Sequence, residues 1–144
     1  MIRIDTNELN KFAVEITKLD DKTKDNVQKV LNNTGFKIEA QAKTNLNRNK
    51  SVVTGHLMRG ITTKIGNMEV TVHTSNIKYA PMVEYGTKPH IIKAKNKKAL
   101  YWKGASHPVK SVRHPGNKAK PYLIPAFESE KDNLIKNLKE VIEW

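Results

Sequence analysis

Histidine is the side chain in this sequence best suited to metal binding or acid–base chemistry. There are five: His56, His73, His90, His107 and His114. None is spaced from another as HxH or HExxH, and residues 85–127, which hold three of the five, contain no Asp or Glu to share a metal or orient an imidazole. The pattern favours surface or turn histidines; a metal site, or an enzyme site built from the last three, is the alternative.

Carboxylates and nucleophiles are also scarce. Residues 40–127 contain only two acids, Glu69 and Glu84, so they offer neither a carboxylate pair for hydrolysis nor the Asp of a Ser/His/Asp triad. Residues 54–60 lack the lysine and the spacing of a phosphate-binding P-loop. Cysteine is absent, which excludes thiolate chemistry and disulfides. The sequence therefore predicts a non-enzymatic protein with no catalytic, cofactor-binding or metal-binding residues.

Positive charge is concentrated in the middle of the chain. The net charge is +12, but residues 40–127 carry 16 Lys/Arg against two acids, whereas the remainder carries 10 Lys/Arg against 12 acids. A field of one sign indicates a polyanionic or acidic partner; the alternative is an ordinary soluble basic surface. The densest run comprises Lys88, Lys93, Lys95, Lys97, Lys98, Lys103, Lys110, Arg113, Lys118 and Lys120.

Two aromatic residues, Tyr101 and Trp102, lie inside this basic run. They would either stack on nucleic-acid bases or alternate between the two faces of a strand. No recognition-helix pattern is present, so non-specific contact with DNA phosphates is the form of nucleic-acid binding left as an alternative function. Glu84 stands almost alone among these cations. It is predicted to form an ion pair with a lysine or Arg113, within the fold or across a subunit boundary.

The hydrophobic periodicity predicts the elements that position these residues. Apolar residues at helical spacing predict helices over 6–20 and 23–47. Period-two alternation predicts strands at 61–65 and 68–74, joined by a turn at Gly66-Asn67. Residues 79–85 fit a short helix or a turn, residues 90–93 and 99–102 resemble strands, and residues 103–120 read as a long loop. Pro121 can open a last helix that runs to residue 143.

These elements predict an α+β fold in a single domain, 1–144. It would comprise a helical part (6–47), a β-rich basic body (54–120) with a small antiparallel meander of about four strands, and a C-terminal helix (121–143). No stretch approaches the ~20 apolar residues of a membrane span, and the N-terminus lacks a signal-peptide core. We therefore expect no membrane partner and synthesis in the cytoplasm.

Three motifs in fixed order resemble one family. They are Thr54-Gly-x-Leu-x-x-x-Ile61, Tyr79-Ala-x-x-Val-Glu-Tyr-Gly-Thr87 and His114-Pro-Gly-x-Lys-Ala-x-Pro-Tyr-Leu-x-Pro-Ala-Phe127. Together they resemble the minor structural proteins of long-tailed bacteriophages that act in head–tail joining, the neck or tail completion. Gly60 departs from the family pattern, which more often has serine before the isoleucine.

The resemblance implies a non-enzymatic virion or prophage protein, without a cofactor, assembled in the host bacterial cytoplasm and located at the virion neck or tail. It implies a ring oligomer that meets the head connector and the tail tube or terminator, with a non-specific DNA contact left open. The predicted interface residues are Tyr79, Glu84, Tyr85, Thr87, His90, Arg113, His114 and Lys118. The predicted structural turn residues are Gly55, Gly86, Pro115, Gly116, Pro121 and Pro125.

Overall fold

The computed structural model describes residues 19–51 and 55–142. Within them, four helices and four strands follow in the order α1 (Asp21–Arg48), α2 (His56–Gly60), β1 (Ile61–Gly66), β2 (Glu69–Thr74), α3 (Ala80–Tyr85), β3 (His90–Lys93), β4 (Ser111–His114) and α4 (Leu123–Ile142). The mixed α+β class is confirmed. The helix predicted over 6–20 lies outside the described residues, apart from its last two positions, which precede α1.

Helix α1 is the longest element and confirms the helix predicted over 23–47. Asp20 caps it, because the Asp20 carboxylate accepts hydrogen bonds from the Thr23 N–H at 2.8 Å and the Thr23 hydroxyl at 3.0 Å. The bond from the Thr23 N–H lowers the pKa of Asp20. The buried face of α1 includes Val27, Ile38 and Ala42, at spacings that keep them on one side of the helix.

The β1–β2 hairpin packs across the middle of α1. Gly35 of α1 makes this crossing close, since a Cβ at that position would overlap the side chain of Val70. Glu39 links the helix to β1: its carboxylate accepts hydrogen bonds from Thr63 at 2.7 Å and from Lys43 at 2.6 Å. Burial acts to raise the pKa of Glu39, but the hydrogen bonds outweigh burial, so its pKa is lowered.

The predicted hairpin is confirmed, with its turn displaced by one residue. Gly66 still pairs with Glu69, so the turn residues are Asn67 and Met68. Met68 takes a positive φ of 53° and donates its N–H to the side-chain oxygen of Gln28 at 2.6 Å. This hydrogen bond between the turn and α1 stabilises the positive φ of Met68. The sequence pattern had instead placed the turn at Gly66 and Asn67.

The predicted four-stranded meander is wrong, because the strands form two separate two-stranded antiparallel sheets, β1–β2 and β3–β4. Between them, α3 and Gly86 redirect the chain; residues 79–85 thus form the short helix rather than the turn. The strand predicted at 99–102 contributes only one bridge, between Leu100 and Val109. The predicted loop 103–120 instead contains β4. The sequence pattern missed this strand because none of its four residues is buried, so the apolar alternation that marks a half-buried strand is absent.

Two hydrophobic clusters hold the helices together. The larger joins the C-terminal half of α1 to α2, β1, α3 and the start of α4, and the smaller joins Val27 of α1 to Leu134 and Leu138 of α4. Helix α4 confirms the predicted C-terminal helix but begins at Leu123, two residues after Pro121. Its antiparallel packing on α1 fixes the segment before it against the end of α1. Across the described residues, no helix combines the length and apolar character needed to span a bilayer.

Candidate interaction site

Glu84 is the structural centre of the site, and it is buried, with 2% of its surface exposed. Its Oε2 accepts hydrogen bonds from the N–H groups of Tyr122 (2.9 Å) and Leu123 (3.0 Å), and its Oε1 accepts one from Ile124 (2.9 Å). These donors are the first N–H groups of α4, which have no acceptor inside the helix. The next residue, Pro125, has no N–H to satisfy. Glu84 therefore caps a helix 38 to 40 residues away.

This cap corrects the predicted ion pair. Both oxygens of Glu84 face backbone N–H groups at the positive end of a helix, rather than a lysine or Arg113. The predicted cation is replaced by the peptide dipoles of α4, whose first N–H groups supply the positive potential at Glu84. Glu84 is enclosed in the chain, and its assignment as an interface residue stays a prediction.

Asn45 of α1 and Asn49, which caps the C-terminus of α1, hold the same segment from the other side. The Asn45 amide donates to the carbonyl oxygen of Tyr122 at 3.0 Å, and the Asn49 amide donates to that of Pro121 at 2.8 Å. Tyr122 is fully buried. Burial, reinforced by the charge of Glu84, raises the pKa of Tyr122, so its phenol stays neutral.

Two of the three motifs that carry the family resemblance, the second and the third, are hydrogen-bonded to each other. Thr87 and Asn117 form an antiparallel bridge, with the Thr87 N–H donating to the Asn117 carbonyl at 2.9 Å and the reverse bond at 3.1 Å. Gly86 and Gly116 flank this bridge at φ 74° and 86°. A Cβ on Gly86 would lie 2.5 Å from the Asn117 oxygen, and one on Gly116 would overlap the Thr87 oxygen. Only glycine permits both the left-handed backbone and the contact.

Beyond this bridge, residues 87–117 form a β-hairpin that we call the arm. Its strands pair His90 with His114 and Ile92 with Val112. No residue of the arm is buried, and β3 and β4 make their extensive contacts with each other. The arm carries Lys and Arg side chains but no acid. It is therefore a positively charged projection joined to the body at its base.

The two faces of the arm differ. His90, Ile92, Val112 and His114 share one face, and Ile91 lies on the opposite one. The first face borders a groove of about 570 Å³, which we call the base groove. Its lining includes Lys50, Tyr79, Met82, Ile92, Lys118 and Lys120, and no acidic residue. The groove thus combines an apolar lining with a cationic rim.

The histidine geometry argues against a shared metal site. The His90 and His114 rings lie 5.1 Å apart. His90 Nδ1 lies 2.8 Å from the Lys88 carbonyl, which requires an N–H there, whereas His114 Nδ1 accepts the Gly116 N–H at 3.0 Å. His107 instead contacts Ser106, in the loop that closes the arm. Among residues 19–51 and 55–142, no three His, Cys, Asp or Glu side chains converge on a possible ion.

The structure places most of the predicted interface residues around the arm base. Tyr79, His90, His114 and Lys118 line the base groove with Thr87, whereas Tyr85 and Arg113 are exposed outside it. Among the predicted turn residues, Gly55 precedes α2, Pro115 is exposed between β4 and Gly116, and Pro121 and Pro125 flank the start of α4. The interface assignment itself stays a prediction.

Sequence reasoning missed Met82, Ile92 and the two asparagines Asn45 and Asn49. The sequence did carry a signal for Met82 and Ile92. Each is a large apolar residue that lies among turn formers and cations rather than in an amphipathic pattern, which indicates an exposed apolar side chain. The asparagines had none: Asn45 lies within a helix and Asn49 just after it, and neither amide indicates a tertiary contact until the segment that it holds is known.

Residues 10–86 match the protein family described as "Bacteriophage HK97-gp10, putative tail-component". Because the match covers more than half of the 144 residues, this chain belongs to the HK97-gp10-like family of phage tail components. The match includes the Thr54–Ile61 motif and all but the last residue of the Tyr79–Thr87 motif, and it ends before the His114–Phe127 motif. No curated protein and no solved structure gives a significant match. The resemblance to phage structural proteins is thereby confirmed, and the chain is a structural component of a phage virion.

Proposed function

We propose that this protein acts in head–tail joining or tail completion during virion assembly, as a ring subunit between the head connector and the tail tube. One observation carries the proposal beyond family membership. Of the nine large apolar residues that are exposed among the described residues, seven lie between Tyr79 and Trp102. Exposed apolar groups concentrated in one segment are typical of a surface that another protein covers.

A closed ring requires each subunit to carry two different contact surfaces. The end of the arm, with Tyr101 at 69% exposure and Trp102 at 47%, is a candidate for one of them. The exposed Phe36 of α1 and Ile65 of β1 are candidates for the other. Such an arm would reach a neighbouring subunit, while the two hydrophobic clusters keep the body rigid.

The test is deletion of the gene from an inducible prophage, followed by electron microscopy of the lysate. We expect DNA-filled heads and separate tails, with infectivity restored by the wild-type gene. The double variant Tyr101→Ser/Trp102→Ser should fail to restore infectivity while remaining folded, as checked by circular dichroism. Normal infectious particles from the deletion strain would refute the proposal.

The second candidate function is non-specific nucleic-acid binding by the same basic segment. The exposed Tyr101 and Trp102 favour it, since aromatic side chains among cations stack on bases. Binding of a random DNA duplex would then be micromolar or tighter at physiological salt and would weaken steeply as salt rises. Weak binding with a shallow salt dependence would leave the head–tail role as the better account.

A further inference from the structure

The base groove is accessible, and its apolar lining is not covered by any part of the chain that the structure describes. Met82 is 54% exposed, Tyr79 41% and Ile92 37%. These side chains come from two elements, the α3 region and β3, which Glu84 and the Thr87–Asn117 bridge hold in fixed relation. The groove is therefore held in place before any partner arrives, which lowers the entropic cost of binding.

The rim of the groove selects for negative charge. Lys50, Lys118 and Lys120 line it, and residues 85–127 contain no acid that would neutralise them. A segment that carries carboxylates would gain charge-assisted hydrogen bonds to these ammonium groups. A neutral or basic segment would not.

A second copy of this chain is poorly suited to supply that segment. Outside residues 40–127 the chain carries 10 Lys/Arg against 12 acids, so these parts together are close to neutral. Several of its helical acids are already paired with lysines one turn away. These pairs are Asp21–Lys24, Glu39–Lys43 and Lys136–Glu140. A partner that is acidic overall therefore matches the rim better than a second copy of a chain with a net charge of +12.

The apolar lining favours a protein over a nucleic acid as that molecule. DNA phosphates would use the lysines but would leave Ile92 and Met82 against water or phosphate, with no gain from burying them. A peptide segment satisfies both features, because a large apolar side chain fills the groove while neighbouring carboxylates meet the rim.

We propose that the base groove binds an acidic segment of another virion protein, with one large apolar side chain of that segment seated between Met82 and Ile92 and flanking carboxylates at Lys118 and Lys120. This inference rests on the proposed docking role and names the chemistry of the partner. The base groove would bind a different virion component, and the end of the arm would contact neighbouring copies of this chain.

The experiment uses the full chain and a fluorescent panel of short peptides, each with one Leu, Phe or Trp flanked by Asp and Glu. Anisotropy is measured at about 0.1 M salt, where charges within roughly 10 Å still interact. The matched variants are Ile92→Ser, on the groove face, and Ile91→Ser, on the opposite face. We expect Ile92→Ser to weaken binding by about tenfold, or ~1.4 kcal/mol, and Ile91→Ser to change it by less than about twofold.

A charge pair completes the design. Lys118→Glu/Lys120→Glu should weaken peptide binding by at least about tenfold, whereas Lys95→Glu/Lys97→Glu, with the same charge change in the exposed outer part of the arm, should have a much smaller effect. All four variants alter exposed residues, and circular dichroism verifies that they fold.

Three results would overturn the inference: no panel peptide binding with Kd below ~1 mM, equal losses for Ile91→Ser and Ile92→Ser, or a random duplex binding more tightly than every peptide with no response to Ile92→Ser. The last result would assign the surface to nucleic acid. These failures are distinct from failure of the proposed function. If the deletion strain is complemented yet no peptide binds, only the groove assignment falls.

Discussion

Replacing Glu84 by Gln tests whether one carboxylate holds the last helix in place. Gln has nearly the same shape as Glu but carries one acceptor oxygen and one NH2 group. In the most favourable orientation the remaining oxygen keeps the Tyr122 and Leu123 bonds. The new NH2 group then faces the N–H of Ile124, donor against donor.

The expected loss follows from counting these groups. One buried or half-buried N–H left without an acceptor costs about 1–3 kcal/mol. Loss of negative charge at a helix N-terminus removes a further ~0.3–1 kcal/mol, or up to ~2 kcal/mol where the site is partly buried. We therefore expect Glu84→Gln to lower the free energy of unfolding by about 2–3 kcal/mol. Glu84→Ala, which orphans all three donors, should remove a large part of the ~5–15 kcal/mol typical of a whole domain.

The assay is urea unfolding followed by far-UV circular dichroism, with Glu69→Gln as the matched control. Glu69 is the other acid of the central region and is exposed, so its substitution should change stability by less than about 0.5 kcal/mol. Amide hydrogen exchange at residues 122–124 should also accelerate in Glu84→Gln. Equal stability of the two variants, or unchanged exchange at these amides, would refute the capping role.

Three further predictions concern packing and charge in the body and arm. Glu39→Gln should lower the free energy of unfolding by about 1 kcal/mol near neutral pH. The folded-state pKa of Glu39 lies below its ordinary value of 4.5, so the difference in unfolding free energy between wild type and variant should shrink as the pH falls through the folded-state pKa. Urea unfolding measured at a series of acidic pH values tests this. Gly35→Ala should lower the Tm, because overpacking against the hairpin costs about 1–3 kcal/mol and exceeds the ~1 kcal/mol gained in helix propensity; a raised Tm would contradict the close crossing. Gly116→Ala should accelerate amide exchange at the arm base more than Gly104→Ala, which has a similar positive φ but open space around it, and equal effects would show that backbone clash is unimportant.

Local pattern was sufficient for the elements whose buried face is visible in sequence. The helix over 23–47 and the hairpin around Gly66 were predicted because apolar residues recur with the period of each structure, and that period reports which side is buried. Local pattern did not predict the second strand of the arm. β4 (Ser111–His114) is four residues long, contains no buried residue and pairs with β3 across a long loop, so neither periodicity nor turn spacing marks it.

The sequence by itself determined the inventory: a basic central region with two acids, no cysteine, no catalytic constellation, and two glycine- and proline-rich motifs. These features depend only on residue types. The indication of a phage structural protein came from the resemblance of the motifs to that family, not from the composition. Only the tertiary structure decided what the motifs do. Glu84 and the N–H groups that it caps are 38 to 40 residues apart, and Gly86 and Gly116 are also far apart along the chain. The contacts of Glu84 with α4, and of each glycine with the opposite motif, exist only once α1 and α4 have packed. The sequence predicted a lysine or Arg113 as the partner of Glu84, and packing instead made that partner the N-terminus of α4.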